Sequence, residues 1–445
     1  MKTNITLFVA FLFLGTTLGF SQNEEECNQT LSIMTEYVKA KNFKAAYEPF
    51  KKLRTECPKY NPGAQFKYGE DMFEGLIDET EGDVKKGYIQ ELSDLWDARI
   101  VEYAKKSPKG KYLAKKAELR YDNRKLLGLT DAMIYNEFDA IYKTDLANFK
   151  SPKGLYVYFK SMVSLYDAKQ KTAQELFDKY DDVVDKLEKE TDFNTKKLNE
   201  YLEKEAGGAT LAKKEARYKK FYSQTVNALE KIAGSVDTEL GDRANCSTLI
   251  PLYQKDYEAN KNNSQWLQRA MSKLYAKGCK DDPMFVKIVK QKNTVEPNED
   301  TAYYLYLITG EQQYFDQTLS LTTDPLKKAK LYNKIAKDFK AKGSYGKARN
   351  YYMKAMELNP SSKNGYLQIA NMYGNSAKNC GSDNFSQRAV FWLAAQEAEK
   401  GGSSSTASRY RGLAPTKTEI FNKSMGGKTI KIGCWIQRSV TVPNI

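Results

Sequence analysis

The sequence predicts an all-α fold: a superhelix of stacked helical hairpins, interrupted by one long inserted helical hairpin and closed by a small C-terminal β-hairpin. Three observations predict it. Across Ala329–Ser362, Tyr332, Ile335, Ala336 and Phe339 suit a first helix, Gly343 marks a turn, and Ala348, Tyr352, Ala355 and Pro360 lie on and after a second helix. Large residues alternate there with small ones, so two antiparallel helices can interlock and a further pair can stack on them. Elsewhere apolar residues recur three and four apart, the helical period. Strand-like alternation is confined to Thr429–Ile432 and Gln437–Val442.

Taken in order, Met1–Gln22 carries Lys2, an apolar run from Leu7 to Leu14 and the stretch Gly15–Gly19. That run is shorter than the roughly 20 residues of a membrane-spanning helix, and Gly19-Phe20-Ser21 suits signal peptidase. Residues 1–21 are therefore expected to be a secretory signal. Glu24, Glu25 and Glu26 argue against a buried N-terminal helix and against lipidation of Cys27. No later segment is apolar enough to cross a membrane, so the cleaved chain is expected to be soluble.

Residues 27–150 are expected to hold N-terminal repeat-like helices. Tyr68, Met72, Phe73, Leu76 and Ile77 mark one, Leu92, Leu95, Trp96, Ile100 and Tyr103 the next, and shorter helices follow, broken by Pro108, Gly128 and Pro152. Residues 155–240 read as a long charged hairpin. Ala173, Leu176, Tyr180, Val183 and Leu187 form a short coiled-coil seam, Gly207 and Gly208 break it, and Tyr218, Phe221, Tyr222, Val226, Leu229 and Ile232 mark the returning helix. The hairpin is expected to pack within its own chain, the alternative being a homo-oligomer. The oligomeric state is left open. Residues 246–400 resume the repeats, with a degenerate pair at Tyr303–Phe315 and a last unit built on Tyr366, Ile369, Ala370 and Tyr373, whose inserted loop at Cys380 precedes Ala389 and Leu393. Gly401–Ser405 is expected to be a flexible hinge, and residues 406–445 a tail ending in the β-hairpin.

The offsets in Ala329–Ser362 match the pattern of about 34 residues of tetratricopeptide repeats, and the chain resembles a tetratricopeptide-repeat (TPR) protein. Cys27–Pro58 gives a second, weaker match through Ile33, Met34, Tyr37, Ala46, Phe50, Leu53 and Pro58, with Thr30 where the first aromatic should stand. The closing string Pro415, Thr416, Lys417, Glu419, Ile420, Phe421, then Gly433, Cys434, Trp435, Ile436, is similar to the closing module of exported TPR proteins of diderm bacteria. That resemblance implies architecture and a periplasmic location, and little mechanism. It also orders the cysteines. Six cysteines allow fifteen connectivities, but the first and last residues of a repeat unit lie side by side, which implies Cys27–Cys57 and Cys246–Cys279 as staples of hairpin ends, each stabilising by about 3 to 4 kcal/mol. Cys434 would tie the β-hairpin to the loop at Cys380. The alternative is free buried thiols.

The formal charge is +14, from 70 basic and 56 acidic residues, spread over nearly the whole chain. Export removes nucleic acid as a partner and leaves acidic proteins, cell-wall polymers or a membrane surface. There is no histidine, which excludes imidazole triads, histidine metal sites and the usual pH switch. No phosphate loop or zinc-spaced cysteine cluster is present, and no metal, cofactor or catalysis is expected. Asp181 with Asp182, and Asp237 with Asp242, are neighbouring carboxylates that read as solvated acids. Trp435 is taken as exposed, able to stack on a sugar or to cover the disulfide.

In TPR proteins certain first-helix positions face a concave groove. The resemblance places there Lys330, Asn333, Lys337, Lys340 and Ala341, then Asn364, Leu367, Asn371, Gly374 and Asn375. Lysines and amides suit an acidic or C-terminal peptide segment. The function expected is that of a non-catalytic periplasmic adaptor that holds other envelope proteins through this groove, in a secretion, surface-assembly or motility complex. The alternative is a structural protein attached to cell wall or membrane by a basic helical face.

Overall fold

A computed structural model describes residues 24–444, so the expected secretory signal lies outside them. The described chain is all-α apart from one two-stranded antiparallel sheet. It divides into two compact units. One runs to Leu187 and takes in Leu229–Gly241; the other comprises Glu188–Ala228 and everything from Asp242 onward.

The first unit opens with α1 (24–39) and α2 (Phe43–Glu56), followed by α3 (Pro62–Asp78), α4 (Gly82–Glu102), α5 (Lys109–Asp122), α6 (Arg124–Leu127), α7 (Asp131–Asp145) and α8 (Pro152–Asp167). The breakers act as expected. Pro62 and Pro152 occupy first turns, where a missing N–H costs nothing, and Gly128 closes α6 in the left-handed region. Met34, Ala46, Phe50 and Leu53 are buried, the interior half of the expected N-terminal pattern. Ile33 and Tyr37 instead stay 50% and 39% exposed. Among the described residues no element precedes this hairpin to cover them. The core continues through Phe66, Phe73, Leu76, Leu92 and Trp96.

Then come α9 (Ala173–Ala206) and α10 (Lys213–Leu240), the long hairpin. Leu176, Val183 and Leu187 of the expected seam are buried in the single chain, as are Leu229, Val236 and Leu240 of the returning helix, and the Tyr180 hydroxyl donates to Asp237. The seam is thus covered without a second copy. Asp182 pairs with Lys179 at 3.5 Å. Asp237 therefore joins α10 to α9, while Asp182 is paired within α9.

One buried carboxylate in this unit is poorly matched. Glu118 Oε1, on α5, is buried without a hydrogen-bond partner, and at Gly154 an added Cβ would lie 2.8 Å from it. Burial pushes its carboxyl above the ordinary value. A carboxyl with a raised folded-state value costs stability as pH rises above its unfolded value, and costs nothing below it. Glu118→Gln is therefore expected to raise the melting temperature by about 2 °C at pH 7 and to have no effect near pH 4. Equal gains at both pH values would remove charge as the cause.

The second unit contains the distal part of the α9–α10 hairpin and α11 (Cys246–Asn260), α12 (Ser264–Ala276), α13 (Pro283–Val295), α14 (Glu299–Thr309), α15 (Gln312–Leu321), α16 (Pro325–Ala341), α17 (Tyr345–Leu358), α18 (Asn364–Ser376), α19 (Asn384–Lys400), α20 (Ser404–Leu413) and α21 (Lys417–Asn422). Asp324 caps α16 by accepting from the N–H groups of Leu326 and Lys327, and Pro325 starts the helix. Gly343, at φ +71°, takes the left-handed turn into α17. Ala336 and Ala348 are fully buried, with Ile335, Tyr352 and Ala355 beside them, so the small residues do let these two helices approach.

Gly401–Ser405 is not a hinge. The N–H groups of Gly402 and Ser403 return to the carbonyls of Glu399 and Ala398, Ser403 caps α20, and Ala407 and Tyr410 of that helix are buried. Glycine here supplies a left-handed turn, Gly402 at φ +76°, because two packed helices must follow one another closely. The chain ends in β1 (Thr429–Ile432) and β2 (Arg438–Thr441), paired with Ile430 opposite Val440. Ile432, Ile436, Val440 and Val442 enter the same core as Ala370, Leu393 and Ala407.

The six cysteines pair as Cys27–Cys57, Cys246–Cys279 and Cys380–Cys434, with Cα separations of 5.9, 5.5 and 5.2 Å. Trp435 does not stand open to a sugar. Its ring packs 5.4 Å from those of Tyr345 and Tyr373, and its Nε1 donates to Ser376 Oγ at 2.9 Å. An indole with a polar edge can satisfy both the apolar helices and a hydroxyl at once.

Candidate functional site

The second helix of the expected repeat presents the stripe Lys347, Asn350, Tyr351, Lys354 and Glu357, spaced three and four apart and so on one face. With Tyr306, Gln312, Phe315, Phe339 and Met353 they line a cleft of about 630 Å³ within the second unit. Its floor is aromatic. Tyr351 lies flat against Phe339 at a ring separation of 5.7 Å, and Tyr332 and Phe315 approach the same ring at 5.7 and 6.2 Å. Tyr306 lies 5.0 Å from Phe315. Burial pushes the Tyr351 hydroxyl above its ordinary value, so it stays a neutral donor and acceptor at physiological pH.

The rim is cationic. Lys347 Nζ stands 5.3 Å from the Phe339 ring centroid, and Lys354 Nζ stands 5.3 Å from Tyr351 and 5.8 Å from Tyr332. Neither lysine pairs with a carboxylate among the described residues. Cation–π contact of this kind contributes about 0.5 to 1 kcal/mol at an exposed site and holds each ammonium over the aromatic floor. An apolar floor with two ammonium groups and one carboxylate, Glu357, at its edge, and neither lysine ion-paired among the described residues, suits an apolar group that neighbours a carboxylate.

The first-helix positions read from the sequence lie elsewhere. Lys330 is already engaged, its Nζ 2.6 Å from Glu188 and 2.9 Å from Asp192 on the distal half of α9. Lys340 donates to Gln368 at 2.7 Å, Gln368 in turn donates to Asn364 at 3.4 Å, and Asn375 donates to Asn371 at 3.2 Å. Asn333 is half-buried and Lys337 exposed. Lys196 pairs with Asp324 at 2.9 Å beside them, so α9 lies along the start of α16. The aromatic cleft went unread because the TPR pattern directs attention to first helices. The usable signal was Tyr351 flanked by lysines at three and four residues.

A slightly larger cleft of about 660 Å³ lies beside Cys380–Cys434. Its one carboxylate is matched within it, while Lys431, which also lines it, forms no ion pair among the described residues. Lys423 sits 2.8 Å from Asp383 and, with the Ser386 hydroxyl and N–H, holds that carboxyl well below the usual range. Among the described residues no group of histidine, cysteine, aspartate or glutamate is arranged to hold a metal, and no helix is long and apolar enough to cross a membrane.

No family model matches the sequence, and no curated protein matches it. Among solved structures, the chain aligns with a "Circular tandem repeat protein with novel repeat topology and enhanced subunit contact surfaces", at 10% identity, over 88% of this chain and 94% of that one, with a TM-score of 0.21. A superposition at that level transfers nothing to the cleft.

Proposed function

We propose that this helical-repeat protein is a non-catalytic interaction scaffold, a TPR-type adaptor exported to the periplasm, that holds an acidic segment of another envelope protein. The observation that carries the reading is the aromatic cleft between Lys347 and Lys354. An apolar side chain of the partner fills the floor left by Phe339 and Tyr351, and adjacent carboxylates meet the two ammonium groups. Three disulfides support an oxidising compartment. The first-helix wall is the weaker candidate, because binding there must first displace Glu188 and Asp192 from Lys330.

The test is direct binding of a fluorescein-labelled peptide, acetyl-Glu-Asp-Phe-Asp-Leu-Glu, with its Lys-for-acid counterpart as control. Lys347→Glu combined with Lys354→Glu is expected to weaken the acidic peptide at least tenfold, since each lost charge contact at a partly desolvated rim is worth about 1 kcal/mol or more. Lys330→Ala combined with Asn371→Ala is expected to leave it unchanged. The reverse result would move the site to the first-helix wall, and equal binding of both peptides would sink the acidic-segment reading.

A further inference from the structure

The start of α10 is a surface that the scaffold reading does not use. Lys213, Lys214, Arg217, Tyr218, Lys220 and Phe221 lie within one side of this helix by its 3.6-residue period and are exposed, Tyr218 to 44% and Phe221 to 56%. Two exposed aromatics one turn apart among basic side chains give this stretch of helix a mixed apolar and cationic face. Lys214 Nζ sits 5.8 Å from the Tyr218 ring. The acids around the turn at Gly207 and Gly208 are mostly taken: Glu215 pairs with Lys204 at 2.7 Å, Glu205 with Lys219, and Glu200 with Lys197 at 2.9 Å. Lys213, Lys214, Arg217 and Lys220 form no ion pair among the described residues. The one remaining acid near the turn, Glu203, is on α9.

We infer that this face of α10 docks on an anionic lipid bilayer. Two features favour a bilayer over a protein. Its residues line neither of the two clefts described above, so it offers an open helix side rather than a peptide-sized recess. Its composition, aromatic rings set among lysines and arginine with no acid on that side, is that of a helix lying at a headgroup layer, where rings enter the acyl boundary and cations meet phosphates. The contact is interfacial and does not span the membrane. It would hold the scaffold beside the membrane while the cleft remains available to a partner.

The experiment is co-sedimentation of the full mature chain with vesicles of mixed phosphatidylglycerol and phosphatidylcholine, and with phosphatidylcholine alone. Binding to the anionic vesicles only, weakened by salt, is expected. Lys213→Glu with Arg217→Glu and Lys220→Glu is expected to abolish it, and Tyr218→Ala with Phe221→Ala to weaken it roughly tenfold, with the circular dichroism spectrum unchanged because all these side chains are exposed. Lys347→Glu with Lys354→Glu should leave vesicle binding intact, which separates this inference from the cleft. Full retention of binding by the aromatic variant would overturn it, reducing the face to a general polyanion binder. So would equal affinity for soluble polyglutamate, which would assign the face to acidic proteins.

Discussion

Asp338→Ala is expected to lower the stability of the second unit by about 3 to 5 kcal/mol, the largest effect of any single substitution considered. Asp338 Oδ2 accepts from the Tyr275 hydroxyl at 2.7 Å and from the Tyr303 hydroxyl. Tyr303 and Tyr304 are fully buried, and burial together with the Asp338 charge drives the Tyr275 and Tyr303 hydroxyls far above their ordinary values. Next to them, Lys334 Nζ lies 4.0 Å from the Tyr304 ring centroid, bonds its hydroxyl at 2.8 Å and pairs with Asp300 at 3.1 Å. Asp338 therefore joins α12 and α14 to α16. Truncation removes two hydrogen bonds to a charged acceptor and leaves the paired Tyr275 and Tyr303 hydroxyls short of one acceptor, and an unmade buried bond costs more than a made one contributes. The same reasoning makes a second outcome diagnostic. Asp338→Leu with Tyr275→Phe and Tyr303→Phe should recover at least about 1 kcal/mol relative to Asp338→Ala, because no hydroxyl is stranded. Urea unfolding followed by circular dichroism measures both, and a loss below about 1 kcal/mol for Asp338→Ala would show that water or relaxation satisfies the tyrosines.

This network also marks where the sequence ceases to be legible. Ala336 and Ala348 were readable because interlocking helices demand small residues at fixed offsets, and local spacing carries that demand. The Cys27–Cys57 and Cys246–Cys279 pairings were readable through the repeat resemblance, in which a hairpin returns its last residue to its first. Asp338, Tyr275 and Tyr303 are separated by up to 63 residues, and nothing in the period of any one helix announces that a carboxylate will meet two hydroxyls from other hairpins. Ile33 and Tyr37 show the converse limit. Their spacing is that of an interior face, yet burial depends on whether a neighbouring hairpin exists to cover them. Gly401–Ser405 was misread because glycine and serine serve a flexible linker and a tight helix–helix turn equally well, and only the packing of Ala407 and Tyr410 distinguishes the two. In the cleft, the spacing of Lys347, Tyr351 and Lys354 marks one helix face without showing what it meets, because Phe315 and Tyr306 come from the preceding hairpin and the floor exists only in three dimensions.

Removing the Cys380–Cys434 bridge by Cys380→Ser with Cys434→Ser is expected to cost about 4 kcal/mol, more than removal of either other bridge. The bridges close loops with sequence separations of 54, 33 and 30 residues, and if their effect lies in restricting the unfolded chain, the first loss should exceed the other two, which should be nearly equal at about 3.7 kcal/mol. The C-terminal module should nevertheless remain docked in the folded state. Ile432, Ile436, Val440 and Val442 are buried, Arg349 donates to the Ile436 carbonyl at 2.7 Å, and Glu397, itself buried, is met by Arg438 at 3.0 Å and Lys400 at 2.9 Å. Paired measurements separate the two claims: chemical denaturation of each double serine variant gives the ranking, and amide exchange across β1 and β2 reports docking. Retained protection of Ile430, Ile432 and Val440 with a lowered unfolding midpoint is the expected pattern. Loss of that protection under native conditions would mean that the bridge, rather than the apolar face and Arg349, holds the module to the repeats, and a ranking unrelated to loop length would place the stabilisation in the folded state instead of the unfolded one.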